Sequence, residues 1–181
     1  SKLGIKRYRL RGANYRLDQP IPPQLEEQRA KLRELAQLNQ ELGLQGGWQN
    51  HSGDRAVGAP VWDIWQLVKD LDPRHMGVCF DIGHATLEGG YSWPIEAKLM
   101  EPFYTAVYVK DFSWKKTQKN WRAEWCPLGE GMVNKAFFDR LKKSGYTGPI
   151  SQHHEYPLGD RPQMIAAMRK DLRVLKDWLA A

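Results

Sequence analysis

Apolar positions along the chain follow a period of two in some stretches and a helical period in others, and the two patterns alternate. Strands are predicted at residues 5–10, 44–50, 78–81, 106–112 and 149–156. Helices are predicted at 24–42, 60–71, 93–100, 135–143 and 163–179, and a polar loop runs through residue 125. Strands that alternate with helices of this length predict βαβ units and a parallel sheet with right-handed crossovers.

The composition fits one folded α/β domain over residues 1–181, because 41% of the residues are hydrophobic and the 11 prolines are spread out. The net charge of +6 would suit nucleic acid, but the basic residues are scattered, so nucleic-acid binding is not favoured. We expect no membrane insertion, because no apolar run is long enough to span a bilayer. The two cysteines, Cys79 and Cys126, are expected to be free thiols in a cytoplasmic protein.

The stretch from Val78 to Ala85 is predicted to be a buried strand that ends in Asp81, with Gly83 and His84 in the turn that follows. Parallel α/β proteins place metal and substrate ligands at the carboxyl ends of their strands. The alternative is structural, with Asp81 capping the next helix and His84 bonding to nearby backbone.

The same period of two predicts that polar side chains from several strands converge at one edge of the sheet. The inward set comprises Gly47, Gln49 and His51, then Cys79 and Asp81, then Tyr108 and Lys110, and finally Ser151, His153 and Glu155. Such a cluster has two explanations. Its oxygen and nitrogen ligands suit a divalent cation such as Mg²⁺, Mn²⁺, Co²⁺ or Zn²⁺, or Lys110 forms an ion pair with Glu155 or Asp81. Gln49 and His51 favour the metal, since an ion pair would not require these neutral groups.

These residues lie in five motifs, which are WQNHSG at 48–53, FDIGH at 80–84, VKD at 109–111, PLGEG at 127–131 and HEY at 154–156. In their order and spacing the chain resembles the xylose isomerase-like superfamily of sugar isomerases and epimerases. The resemblance implies a parallel (β/α) TIM-type barrel and a divalent metal held by residues from four strands. The family barrel has eight strands in about 250 residues, and this chain matches only the third to the eighth βα unit. We therefore expect a partial barrel that is completed by a homo-oligomer or by a missing N-terminal segment.

The resemblance also implies roles for individual residues. Asp81 matches the metal aspartate, His84 the substrate-facing histidine, and Glu155 the last glutamate, which is both ligand and base. Gln49 and Tyr108 stand where many members have a glutamate and a histidine, and a glutamine cannot act as a base. The predicted metal ligands are Gln49, Asp81 and Glu155, the predicted catalytic residues are Glu155 and Lys110, and the predicted substrate-binding residues are His51, His84, Tyr108, Arg122 and His153.

The activity that the resemblance implies is a metal-dependent isomerase or epimerase, which moves a proton next to a carbonyl of a small sugar or sugar derivative. Keto-sugar lyase or dehydratase chemistry is an alternative. A non-catalytic, sugar-binding barrel is another, because of Gln49 and Tyr108. An apurinic endonuclease-like DNA repair enzyme is less favoured, because that activity needs more histidine than the five present here. Tryptophans 48, 62, 93, 114, 121 and 125 are candidates for stacking on a sugar.

Overall fold

A five-stranded parallel sheet forms the centre of the computed structural model, which describes residues 4–10 and 12–180. Its strands lie in the order β1 (Arg7–Leu10), β2 (Gln45–Gln49), β3 (Met76–Asp81), β4 (Tyr104–Val109) and β7 (Ile150–Gln152). The helices are α1 (Ile21–Leu42), α2 (Val61–Val68), α3 (Ile82–Gly89), α4 (Trp93–Met100), α5 (Ala136–Lys143) and α6 (Arg161–Ala180). Parallel neighbours in chain order, joined by helices, are an open arc of a (β/α) barrel, as predicted.

The central strand β3 is buried at every position and shows how the two faces of the sheet differ. Val78 and Phe80 are fully buried on the helical side, where the Phe80 ring stacks on Phe137 at 5.8 Å. Cys79 faces the opposite, inner side, and its sulfur lies 3.6 Å from Thr105 Oγ1. Alternation along this strand therefore carries Asp81 to the inner side at the carboxyl edge, as the period of two predicted.

Most predicted elements are present, with shifted ends. Helix α1 begins at Ile21, three residues early, because the prolines at 22 and 23 fit a first turn that needs no amide donor. Gly43 ends that helix with φ of 62°, as expected. The prediction missed helix α3, whose glycine-containing sequence hid it. The strand predicted at 149–156 ends at Gln152, so the residues at 153–156 form a loop.

The prediction of a polar loop through residue 125 is wrong, because these residues form an antiparallel hairpin. Strand β5 (Asp111–Lys116) pairs with β6 (Trp121–Cys126), and the backbone N–H of Thr117 bonds to the carbonyl of Asn120 in the turn. The prediction failed because one face of this ribbon is exposed and its lysines give the sequence the polarity of a loop. The hairpin lies directly after β4 and so stands over the carboxyl edge of the sheet.

The edges of the sheet are unpaired within the part of the chain that the structure describes, where β1 pairs only with β2 and β7 only with β4. Unpaired edges of parallel strands favour association with a further strand. The oligomer or longer chain inferred from the sequence stays a prediction. Cys79 and Cys126 are both free thiols, as expected. No helix within residues 4–10 and 12–180 is long and apolar enough to cross a membrane.

Candidate active site at the carboxyl edge of the sheet

The carboxyl ends of β3, β4 and β7 bring three charged side chains together. The Nζ atom of Lys110 lies 2.6 Å from Oε1 of Glu155 and 3.5 Å from Oδ2 of Asp81. The Asp81 side chain is fully buried and that of Lys110 is 2% exposed, whereas Glu155 is 39% exposed. The predicted convergence of these residues is confirmed, and the group of Asp81, Lys110 and Glu155 is called the charge cluster below.

Asp81 caps helix α3, as the structural alternative predicted, and its second carboxylate oxygen faces Lys110. Its Oδ1 accepts a hydrogen bond from the backbone N–H of His84 at 3.1 Å, which caps helix α3. Its Oδ2 accepts one from Nε2 of Gln49 at 2.8 Å and faces Lys110. Burial raises the pKa of Asp81, and the Lys110 charge and the hydrogen bonds from His84 and Gln49 offset part of that rise.

Asn50 fixes the backbone beneath the cluster and was not singled out from the sequence. Its Oδ1 accepts from the N–H of Asp81 at 2.7 Å, and its Nδ2 donates to the Asp81 carbonyl at 2.8 Å. This two-bond pairing lets a side chain continue the sheet past the end of β2. Its position beside Gln49 in the 48–53 motif was the available signal.

His84 is held in one tautomer by the loop after β2. Its Nδ1 accepts a hydrogen bond from the backbone N–H of Ser52 at 3.1 Å and lies 2.7 Å from Ser52 Oγ. The proton of the neutral ring is therefore on Nε2, which lies 3.8 Å from Asp81 Oδ2 and has no hydrogen-bond partner among the described residues. Burial, followed by the charge of Lys110, lowers the pKa of His84 to about 2. His84 is thus a neutral donor at the cluster.

His153 contacts the charge cluster directly, whereas His51 lies beside the His84 ring. The His51 ring lies 4.0 Å from the His84 ring, beside a cleft of about 270 Å³ that Arg9 and Gln49 also line. His153 Nδ1 lies 3.9 Å from both Asp81 Oδ2 and Glu155 Oε1. Burial, followed by the Lys110 charge, lowers the pKa of His153 to about 4, so this ring is neutral near pH 7.

Trp125 covers the cluster from the hairpin. The Lys110 Nζ lies 4.4 Å from the centre of the Trp125 ring, and His84 meets the same ring edge-on at 5.2 Å. Among the other tryptophan candidates, residues 48 and 93 are buried in the core, and residues 62, 114 and 121 are exposed. Of these candidates, only Trp125 has a described contact with the cluster. Trp125 lies on the β5–β6 hairpin, which was predicted to be a loop.

Tyr108 and Arg122 are the remaining predicted substrate-binding residues. Tyr108 packs its ring against His153 at 4.5 Å, and burial, followed by the neighbouring Cys79 side chain, raises the pKa of Tyr108. Arg122 lies on the exposed side of the hairpin, where its Nη2 is 3.4 Å from Oε1 of Glu124. The structure therefore does not bring Arg122 to the charge cluster.

Asp111 organises the loop that carries the PLGEG motif. It is 1% exposed, and its two carboxylate oxygens accept from the backbone N–H groups of Phe112, Gly129, Gly131 and Val133 at 2.9 to 3.0 Å. A methyl group on Gly131 would lie 2.4 Å from the Asp111 carboxylate, so only glycine fits there. Asp111 is thus a structural residue directly after Lys110.

The side chains predicted to hold a divalent metal are bonded to other protein groups instead. Gln49 Oε1 accepts from Arg9 Nη1 at 2.7 Å, so the carbonyl oxygen that would ligate a metal is engaged. The Lys110 ammonium lies between the two carboxylates. Within residues 4–10 and 12–180, no three His, Cys, Asp or Glu side chains are positioned to share one metal ion. The residues in this arrangement do not fit a divalent cation, which would require Lys110 to move away.

Comparisons with known proteins agree with this fold. An uncharacterised protein of Methanocaldococcus jannaschii is 30% identical over 122 residues, which are 66% of this chain and 40% of that protein. A D-tagatose 3-epimerase-like protein has a similar structure, with a TM-score of 0.76 at 20% identity over 97% of this chain and 62% of its own. A xylose isomerase-like TIM barrel protein from Mycobacterium smegmatis, solved in complex with magnesium, has a TM-score of 0.65 at 20% identity over 88% of this chain and 53% of its own.

The chain thus spans about half of the length of these relatives, between 40% and 62%. At 20% identity the similar structures show the fold alone. The sequence itself matches the xylose isomerase-like TIM barrel over residues 1–178. From that match and the parallel sheet, this chain belongs to the xylose isomerase-like TIM barrel family.

Proposed function

We propose that the charge cluster isomerises or epimerises a small sugar or sugar derivative by moving a proton on the carbon next to a carbonyl. The observation that carries this proposal is the difference in solvent exposure between the two members of the Lys110–Glu155 ion pair. Glu155 is 39% exposed at the mouth of the sheet, while Lys110, 2.6 Å away, is 2% exposed. Proton abstraction of this kind needs an accessible base beside a positive charge that is held in place.

The proposed step begins when the Glu155 carboxylate takes the proton from the carbon beside the carbonyl. The electrons of that C–H bond form a carbon–carbon double bond, and the carbonyl π electrons move to oxygen, which gives an enediolate. The Lys110 ammonium can donate a hydrogen bond to this oxygen, since it carries three N–H donors. The neutral His84 ring directs its Nε2–H towards the Asp81 carboxylate and provides a second hydrogen-bond donor for a substrate oxygen.

The return of the proton distinguishes an isomerase from an epimerase. In an isomerase, Glu155 would give the proton back to the neighbouring carbon, while Lys110 would protonate the first oxygen and take the hydroxyl proton from the second. An epimerase needs an acid on the opposite face of the enediolate, and Lys110 or His51 is the candidate for that role. The D-tagatose 3-epimerase-like relative supports a sugar as the substrate class. A divalent metal would be held by Gln49, Asp81 and Glu155, as the sequence predicts, only if Lys110 left the space between the carboxylates.

The proposal is tested by incubating the protein with a panel of aldoses, ketoses and their phosphates and following product formation by proton NMR. Glu155→Gln removes the base and keeps the shape, so conversion should fall by about 10²-fold to 10⁴-fold. Glu124→Gln is the matched control, because Glu124 is a partly exposed glutamate of the hairpin whose partner is Arg122. Conversion that survives in Glu155→Gln contradicts the proposal. Saturable sugar binding without conversion also contradicts it and would indicate a sugar-binding barrel.

A further inference from the structure

We infer that the Lys110 ammonium takes the place of a divalent cation in this site, so that the protein holds its carboxylates around an internal cation and binds no metal there. This inference goes beyond the proposed function and does not depend on the identity of the substrate. It concerns only what neutralises Asp81 and Glu155.

The surroundings of the Lys110 Nζ atom support this inference. Oxygens from two strands face it, at 2.6 Å from Glu155 and 3.5 Å from Asp81. The face of the Trp125 ring covers it from a third direction at 4.4 Å. An ammonium group that is 2% exposed and contacts two carboxylates and an aromatic face is enclosed much as a bound metal ion would be.

The other side chains that could ligate a metal already form hydrogen bonds, which a metal would have to break. Gln49 bridges the guanidinium of Arg9 and the carboxylate of Asp81, donating at 2.8 Å and accepting at 2.7 Å. If its carbonyl turned to a metal, its amide N–H groups would face the Arg9 guanidinium. The Nδ1 atom of His84 accepts a hydrogen bond from a backbone N–H, so Nε2 carries the proton and has no lone pair to bind a metal.

The balance of charge points the same way. The carboxylates of Asp81 and Glu155 face one ammonium directly, and the Arg9 guanidinium reaches Asp81 through Gln49. Two negative groups are therefore matched by two basic ones. A divalent cation added to this set would lie beside the buried Lys110 ammonium, and two neighbouring cations in a buried site are unfavourable.

The first experiment uses the wild-type protein, treated with a chelator and then passed into metal-free buffer. Melting temperature is measured with Mg²⁺, Mn²⁺, Co²⁺ or Zn²⁺ present, and bound metal is measured after gel filtration. We expect no saturable rise in melting temperature and no retained metal. One equivalent of retained metal that Asp81→Asn abolishes would overturn the inference. Neither readout needs substrate, so failure of the proposed function would leave this result unchanged.

The second experiment removes the internal cation. Lys110→Ala leaves two carboxylates without their ammonium and opens the space between them, so this variant should gain a response to divalent metal. At saturation the melting temperature should rise by about 5 °C or more. Lys110→Gln, which keeps more of the volume, is the second variant if Lys110→Ala does not fold, and the same gain is expected. Lys98→Ala is the matched control, because Lys98 forms an exposed pair with Glu101 at 2.9 Å. If neither Lys110 variant responds to metal, Lys110 does not occupy a cation site and the inference is wrong.

Discussion

Replacement of Asp111 by asparagine tests the support directly behind Lys110. The carboxylate accepts four backbone N–H groups, two on each oxygen. Asparagine keeps the shape but turns an NH₂ group towards two of those donors, so two charge-assisted hydrogen bonds are lost. At about 1.5 to 3 kcal/mol for each bond to a charged group, we expect the free energy of unfolding to fall by about 3 to 6 kcal/mol.

The assay for Asp111→Asn is urea denaturation combined with hydrogen exchange. The amides of Gly129, Gly131 and Val133 should lose protection before the rest of the molecule, because they bond to this carboxylate. Asp139→Asn is the control, since Asp139 is 44% exposed and its ion pair with Lys142 is 3.8 Å long. If Asp111→Asn were as stable as the control variant, with these amides still protected, the structural role assigned to Asp111 would be refuted.

Three further changes have expected outcomes. Burial, followed by the charge of Glu88, raises the pKa of Glu96 to about 7. The protonated Glu96 side chain therefore contributes its full stability below about pH 4.5, and that stability is lost as the pH rises through 7. In thermal denaturation, the free energy of unfolding of Glu96→Gln should exceed that of the wild type by at most about 3 kcal/mol above pH 8 and by little at pH 4. An equal difference at both pH values would contradict this prediction. Gly83→Ala would put a methyl group 2.8 Å from the Cγ and the carbonyl oxygen of Lys110. Urea denaturation should therefore show a free energy of unfolding that is about 1 to 3 kcal/mol lower. Gly12→Ala is the control and should lower it much less, because the added methyl group would have no atom within 4 Å. Light scattering should show self-association through the unpaired edges of β1 and β7, and a compact monomer would disagree with it.

The sequence was sufficient to predict the barrel-like sheet and the convergence of Asp81, Lys110 and Glu155. Both follow from local rules, because an alternating strand fixes the side of each residue and parallel strands end at one edge. The pairing of Lys110 with Glu155 was one of two explanations, and the distances favour it over a metal. The choice depended on where the ammonium lies, which strand periodicity does not specify.

The parts that were missed depend on contacts between distant segments. Gln49 is committed because β1 lies beside β2 in a register that pairs Arg9 with Gly47 and so brings the guanidinium within reach of the amide. Trp125 reaches Lys110 only because the polar segment after β4 folds back as a hairpin. Both depend on tertiary packing, since neither the local pattern of apolar residues nor a short motif contains the partner's position.

The unequal exposure of Glu155 and Lys110 has an isotopic consequence. Glu155 is 39% exposed, so part of the proton that it takes from the substrate can exchange with water before it returns to carbon, whereas the protons of the 2% exposed Lys110 never belonged to the substrate. In deuterated water, product reprotonated by Glu155 should retain part of the substrate hydrogen, because the same group takes and returns the proton. Product reprotonated by Lys110 should carry deuterium at that carbon, because the ammonium donates a deuteron that came from the solvent. The label in the product would therefore record which member of the ion pair handled the proton.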